Sequence, residues 1–281
     1  MPPRPILFTF CLTIFSSGLL FCQENEKLPT RAKPKGHLII HGGGQLTRDV
    51  IQRFRELAGG NDGHVVVVPT SAGGDISVEP DSAPKWIKSL NFRKISILHT
   101  RSKEEADTSE FVRSLSDATG IWFSGGRQWR TMDVYLGTKS AEEFHKVYQR
   151  GGVIAGSSAG ATVQGSYLVR GAPEGNHIMM AKGHEEGFGF LEQTAIDQHA
   201  IKRKRLDDMI PVIERFPKLL GISIDEGAAL EVHQGVATII GKSAVAFYNH
   251  STWTNNNDDK KYELLHPGDR FDLKKRRKVN D

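Results

Sequence analysis

Cysteine is nearly missing from this chain of 281 residues: there are two, Cys11 and Cys22, both among the first 22 positions. From residue 23 onward there can be no disulfide, no thiolate metal site and no cysteine nucleophile, so stability must come from an apolar core. Long apolar runs are lacking too, with one exception, Ile6 to Leu20, which follows Arg4 and precedes the polar stretch "QENEKLPTRAKPKG". A short positive start and an apolar run too short to span a bilayer comfortably predict a signal peptide over 1–22. A polar linker over 23–36 follows, and the protein is expected to be exported, with no stable membrane span after cleavage. Phe21 is bulky where lipidation of Cys22 would want a small residue, which argues against a lipid anchor.

Aromatic residues do not interleave with the basic cluster Lys274–Lys278, so the tail over 274–281 is expected to be a solvated end and no nucleic-acid partner is implied. "HGGGQLT" lacks the Lys-Ser/Thr of a phosphate loop and is not G-x-G-x-x-G. No histidines pair with carboxylates at metal-binding spacing on one helix, so no metal or cofactor is expected. The chain has no internal repeat and no low-complexity segment.

What is present is an ordinary globular balance, 38% hydrophobic and 25% charged, enough for one sizeable domain, assigned to 37–273. Apolar strand-like runs alternate with helical periodicity. "HLIIH", "HVVVV", "KISILHT", "GIWF" and "VIAG" are expected strands. "TRDVIQRFRELAGG" (with Thr47 as N-cap), "APKWIKSLNF", "TSEFVRSLSDA" and "SAEEFHKVYQRGG" are expected helices. That alternation predicts an α/β fold with a mostly parallel sheet covered on both faces. After "AIDQHA" a charged helix, "KRKRLDDMIPVIERFP", is expected. Three short strands within "LLGISIDEGAALEVHQGVATIIGKSAVAFYNH" then predict an antiparallel edge.

One turn carries chemistry. Gly156-Ser157-Ser158-Ala159-Gly160 fits G-x-S-x-G between an expected strand and helix, the sequence form of a nucleophile elbow. The central residue, Ser158, must occupy a strained turn, so its neighbours two positions away must be almost without side chains. The N–H of Ala159, at a helix start, then faces the place where an oxyanion would form. A serine hydroxyl needs a base. Of eleven histidines, His199 in "AIDQHAIKRKRL" is favoured because a strand ends there among polar groups; His177 and His184 are rivals. Glu174, in a glycine-rich loop, is the expected acid, with Asp197, Glu185 and Glu186 as rivals.

Four segments together resemble the cyanophycinase branch of the serine peptidase family that also holds dipeptidase E: "GGVIAGSSAGA", "DQHAIKRKRL", "GISIDEGAAL" and "FSGGRQ". The resemblance implies a three-layer α/β/α sandwich like that of class I glutamine amidotransferases. It implies a serine exopeptidase acting on cyanophycin, a poly-aspartate bearing arginine on each β-carboxyl, with β-aspartyl-arginine dipeptides as product. It makes Ser158 the nucleophile and His199 the base, and Gly126 with Ala159 the oxyanion donors. Gln128, Asp197, Gln198, Arg203 and Arg205 would line the substrate site, and a homodimer would be the assembly. Two positions depart from the family pattern: Arg127 stands where it has aspartate, and Ala200 where it has an aromatic residue.

Overall fold

The computed structural model describes residues 34–253 and 261–280, so the expected leader and nearly all of the linker lie outside the described residues. The described residues form one compact unit. Its strands are β1 (His37–His41), β2 (His64–Val68), β3 (Lys94–Ile97), β4 (Gly120–Phe123), β5 (Val153–Ser157), β6 (Gly165–Tyr167) and β7 (Leu191–Gln198). Then follow β8 (Leu220–Ile224), β9 (Ala228–His233), β10 (Val236–Gly241), β11 (Val245–Asn249), β12 (Glu263–Leu265), β13 (Arg270–Asp272) and β14 (Arg277–Lys278). The helices are α1 (Arg48–Leu57), α2 (Lys85–Lys88), α3 (Lys103–Ala106), α4 (Gln128–Tyr135), α5 (Lys139–Arg150), α6 (Ala159–Thr162) and α7 (Ile210–Arg215).

The larger sheet has nine strands in the order β14-β13-β10-β9-β1-β5-β4-β2-β3. Its core, β3 to β1, is parallel, and β9 adds to β1 antiparallel, as the change of pattern in the second half predicted. Every residue of β2 is buried, which is why "HVVVV" shows no polar alternation: both faces of the sheet are covered. On one face Ile39, Val65, Val67 and Trp122 pack with Val50 and Phe54 of α1 and Ile87 of α2. On the other, Leu38, Val66, Phe123 and Ile154 pack with Phe144 and Val147 of α5. The chain is thus an α/β sandwich whose mixed central sheet has a parallel core.

The sequence pattern missed a second sheet. β8 and β9 are separated by only three residues, as in a hairpin, yet they do not pair. β9 joins β1 and β10, whereas β8 joins β7 and β11 in a five-stranded sheet, β12-β11-β8-β7-β6. Side-chain alternation explains the arrangement. Ile196, Ile222, Ile224 and Phe247 point into the core shared with the large sheet, while Ala195, Ala246 and Tyr248 point the other way, onto α7.

Helices differ from expectation where local bonds outcompete propensity. The helix expected over "KRKRLDDMIPVIERFP" is a turn over 201–204, a 3-10 turn over Leu206–Met209 and then α7. The Asp225 carboxylate holds the N–H groups of Ile201 and Lys202, and Lys204 adopts a φ of 54°, which no helix allows. "TSEFVRSLSDA" yields only a 3-10 turn, Phe111–Leu115, and α4 was not foreseen. Thr47 occupies the N-cap position of α1 but makes no side-chain cap bond. The basic end is not wholly a loose tail: β14 pairs with β13, and Asp272 accepts from the amides of Lys274 and Lys275.

Candidate active site

Three strands end at one place. β5 delivers Ser158, β7 delivers His199, and β8 is followed by Asp225 and Glu226. Sites in α/β sheets form beyond such carboxyl ends, where helix starts and loops converge.

Ser158 has φ 57° and ψ −114°, a conformation that side-chain-bearing residues adopt only when the surroundings enforce it. The flanking glycines permit the bend. A β-carbon on Gly156 would stand 2.2 Å from the Gly160 carbonyl oxygen, and one on Gly160 would stand 2.1 Å from that of Phe123. The Ser158 N–H donates to the carbonyl of His41 at 3.0 Å, fixing the bend against β1. Ala159 opens α6, so its N–H has no acceptor within the helix. The turn 124–126 stands alongside: a β-carbon on Gly125 would be 3.4 Å from Cβ of Ser158, and Gly126 follows at φ 139°.

Ser158 Oγ is 2.9 Å from His199 Nε2, and His199 Nδ1 is 2.6 Å from Glu226 Oε1. With Nδ1–H donating to the carboxylate, Nε2 is left to accept the serine hydroxyl. Burial holds the His199 pKa below the ordinary value, opposed by the Glu226 bond and reinforced by Arg203 and Arg205. The imidazole is therefore neutral near pH 7 and free to take a proton. The glycine run after β1, earlier weighed as a phosphate loop, is a bracket for this pair. A β-carbon on Gly43 would meet His199 Cε1 at 2.3 Å, and one on Gly44 would meet Glu226 Oε2 at 2.7 Å.

Glu226 takes the place expected of Glu174, which lies exposed in the loop 171–176. The rivals are engaged elsewhere. His184 pairs with Asp133, Glu185 accepts from the Tyr167 hydroxyl, and the backbone of Glu186 bridges to that of Tyr167; His177 is exposed. The signal for Glu226 was in the sequence, in "GISIDEGAAL", whose acidic pair received no role. Its two carboxylates divide the work: Asp225 pins the turn after His199, and Glu226 faces the imidazole.

Two expected substrate residues are structural instead. Asp197 is fully buried and gripped by Arg170, Nε to Oδ1 at 2.7 Å and Nη2 to Oδ2 at 2.8 Å. Arg170, unremarked in the sequence, also holds Asp208 and the Asn176 carbonyl, tying the loop to the end of β7. Gln128 is buried and donates to the Val169 carbonyl. By contrast Gln198 Oε1 and Arg205 Nη1 are buried without a partner among the described residues, and Arg203 is exposed. Arg127 points to the Ala172 carbonyl, anchoring the glycine-rich loop. Ala200 is fully buried, its carbonyl accepting from the Arg205 amide.

Among the described residues no group of three or more His, Cys, Asp or Glu is placed to hold a metal ion, and no helix is long and apolar enough to cross a membrane.

The model of peptidase family S51 matches residues 38–240. A protein named cyanophycinase from a Nostoc species is 27% identical over 257 residues, 84% of this chain and 83% of that one. Another of that name, from Synechococcus elongatus, is 28% identical over 266 residues, 85% and 80% of the two chains. The crystal structure of a peptidase from an acI-B1 Actinobacterium superposes with a TM-score of 0.65 at 23% identity, covering 87% of this chain and all of that one.

Proposed function

Because the chain belongs to peptidase family S51 and is a serine-type peptidase, we propose that Ser158, His199 and Glu226 are its catalytic triad, and that its substrate is cyanophycin. In this reading the Ser158 hydroxyl gives its proton to His199 Nε2 as Oγ attacks the peptide carbonyl. The resulting oxyanion is held by the amides of Gly126 and Ala159. His199 then passes the proton to the departing amine, and a water, activated in the same way, hydrolyses the acyl-serine. Glu226 holds the ring in the tautomer that leaves Nε2 bare. The observation that carries the proposal is the 2.9 Å and 2.6 Å relay ending on a serine in an enforced bend.

The choice of substrate rests on charge. In cyanophycin the β-carboxyls are amidated, and the free carboxylates are those of the linked arginines and of the chain end, which Arg203 and the unsatisfied Nη1 of Arg205 suit. Gln198 Oε1, also unsatisfied, offers an acceptor to a substrate N–H. A second reading, hydrolysis of other aspartyl or β-aspartyl peptides, is favoured by Arg127, which puts a cation in place of the family's aspartate beside the elbow. Incubating the purified chain with cyanophycin and with aspartyl dipeptides tests both. Release of β-aspartyl-arginine is expected, and labelling by a serine-directed phosphonate should vanish in Ser158→Ala. Export remains part of the proposal, resting on the run Ile6–Leu20, and fractionation of expressing cells checks it.

A further inference from the structure

His41 closes β1 and is completely buried, a placement that a family of catalytic roles for Ser158, His199 and Glu226 does not explain. Its Nδ1 lies 2.8 Å from Ser157 Oγ and receives the N–H of Gly43 at 3.3 Å. An amide can only donate, so Nδ1 is the bare nitrogen and the ring proton sits on Nε2. That Nε2–H is buried with no partner among the described residues. The fold thus tolerates an orphaned donor at one end of the ring in order to present an acceptor at the other.

The acceptor stands at a junction. The Gly42 carbonyl receives the N–H of His199 at 2.9 Å, and the Gly43 carbonyl receives that of Gly227 at 3.0 Å. Gly43 itself stands so close to the His199 ring that a β-carbon there would be 2.3 Å from Cε1 and 2.8 Å from Nδ1. The turn 42–44 therefore touches both the base and the residue beside the acid, and His41 is a side chain that tethers it from inside. The same ring holds Ser157, whose α-carbon is in register with that of His41, next to the nucleophile. We propose that His41 is a positioning residue for hydrolysis: by accepting from Gly43 and Ser157 together, it locks the glycine bracket and the elbow into one unit. This rests on the triad reading above.

The test compares His41→Leu, which removes the acceptor, with His41→Asn, whose Oδ1 stands near the lost nitrogen. Small misplacements of reacting groups are costly, so kcat should fall about 10–100-fold in the leucine variant, with KM within about twofold. The asparagine variant should recover most of that loss. Equal losses in the two variants, or wild-type kcat in a folded leucine variant, would overturn the proposal. Should the leucine variant not fold, Ser157→Ala removes one of the two tethers and should lower kcat less, again at constant KM; unchanged kcat there overturns it. Nitrogen NMR of the wild-type chain at pH 7 gives a readout independent of turnover: His41 Nδ1 should show the unprotonated shift, and a protonated Nδ1 sinks the idea. Failure of the wild-type chain to be labelled by a phosphonate would instead sink the triad.

Discussion

Two serine–histidine–carboxylate relays of almost equal dimensions occur in this molecule. In one, Ser158 Oγ, His199 and Glu226 are linked at 2.9 Å and 2.6 Å. In the other, Ser96 Oγ lies 2.9 Å from His64 Nε2, and His64 Nδ1 lies 2.8 Å from Asp117. Burial lowers the pKa of both histidines. What differs is everything around the hydroxyl. Ser96 sits within the regular strand β3, in register with Val66, with no positive φ and no helix starting behind it. His64 opens β2, at the amino ends of the parallel strands, whereas Ser158 and His199 lie beyond carboxyl ends. The lesson is that a proton relay costs a fold little and recurs as structural glue. A nucleophile needs an enforced bend, free amides at the oxyanion position and room for a carbonyl.

The largest effect should come from cutting the hydroxyl in each relay. Ser158→Ala is expected to lower kcat by at least about 10³-fold with the melting temperature unchanged, because loss of a triad member leaves only binding and oxyanion stabilisation. Ser96→Ala should leave kcat alone and cost about 1–3 kcal/mol of stability, because it strips the buried His64 Nε2 of its partner. Turnover and denaturant midpoints measured on both variants would break the comparison if the two behaved alike.

Next come the carboxylates. Glu226→Gln should lower kcat by about 10³-fold, since an amide can hold the imidazole in the wrong tautomer. Glu174→Gln should change it less than about twofold, as expected of an exposed loop residue. The reverse ranking would restore Glu174 as the acid.

Acid sensitivity sharpens the contrast further. As the proposed base, His199 must be neutral to act, and burial holds its pKa below the ordinary 6.5, so the acid limb of kcat/KM should fall below pH 6.5. His41, lowered to about 4 by burial and then by His199, makes a separate mark on stability. A histidine with a depressed folded pKa stabilises the fold above its unfolded pKa, and that stability is lost as pH falls from about 6.5 towards 4. The loss is about 3 kcal/mol for His41. Urea unfolding at pH 7 and pH 4.5 should show this loss shrinking in His41→Asn.

The elbow was legible in the sequence because each of its requirements is local. Small residues flank Ser158 within two positions, a β-rich run precedes it and a helix start follows. The histidine bonded to Ser158 was legible as well, through the strand end at His199. The carboxylate facing it was not singled out: "GISIDEGAAL" shows an acidic pair, but Glu226 is 27 positions beyond His199, and no local pattern says that β8 and β9 part into different sheets. Asp197 was misread for a related reason. Its neighbours in sequence are polar and basic, but its actual partner is Arg170, from 27 positions upstream.

By itself, then, the sequence determined the alternation of strand and helix, the buried parallel strands and the bend at Ser158, all of which follow from periodicity and backbone sterics over a few residues. The tertiary structure decided which carboxylate faces the imidazole, which arginine is spent on an internal ion pair, and which of two equal relays ends on a strained serine. Those outcomes depend on strand pairing across long stretches of chain, and pairing is set by the packing of whole sheets, which no local pattern encodes.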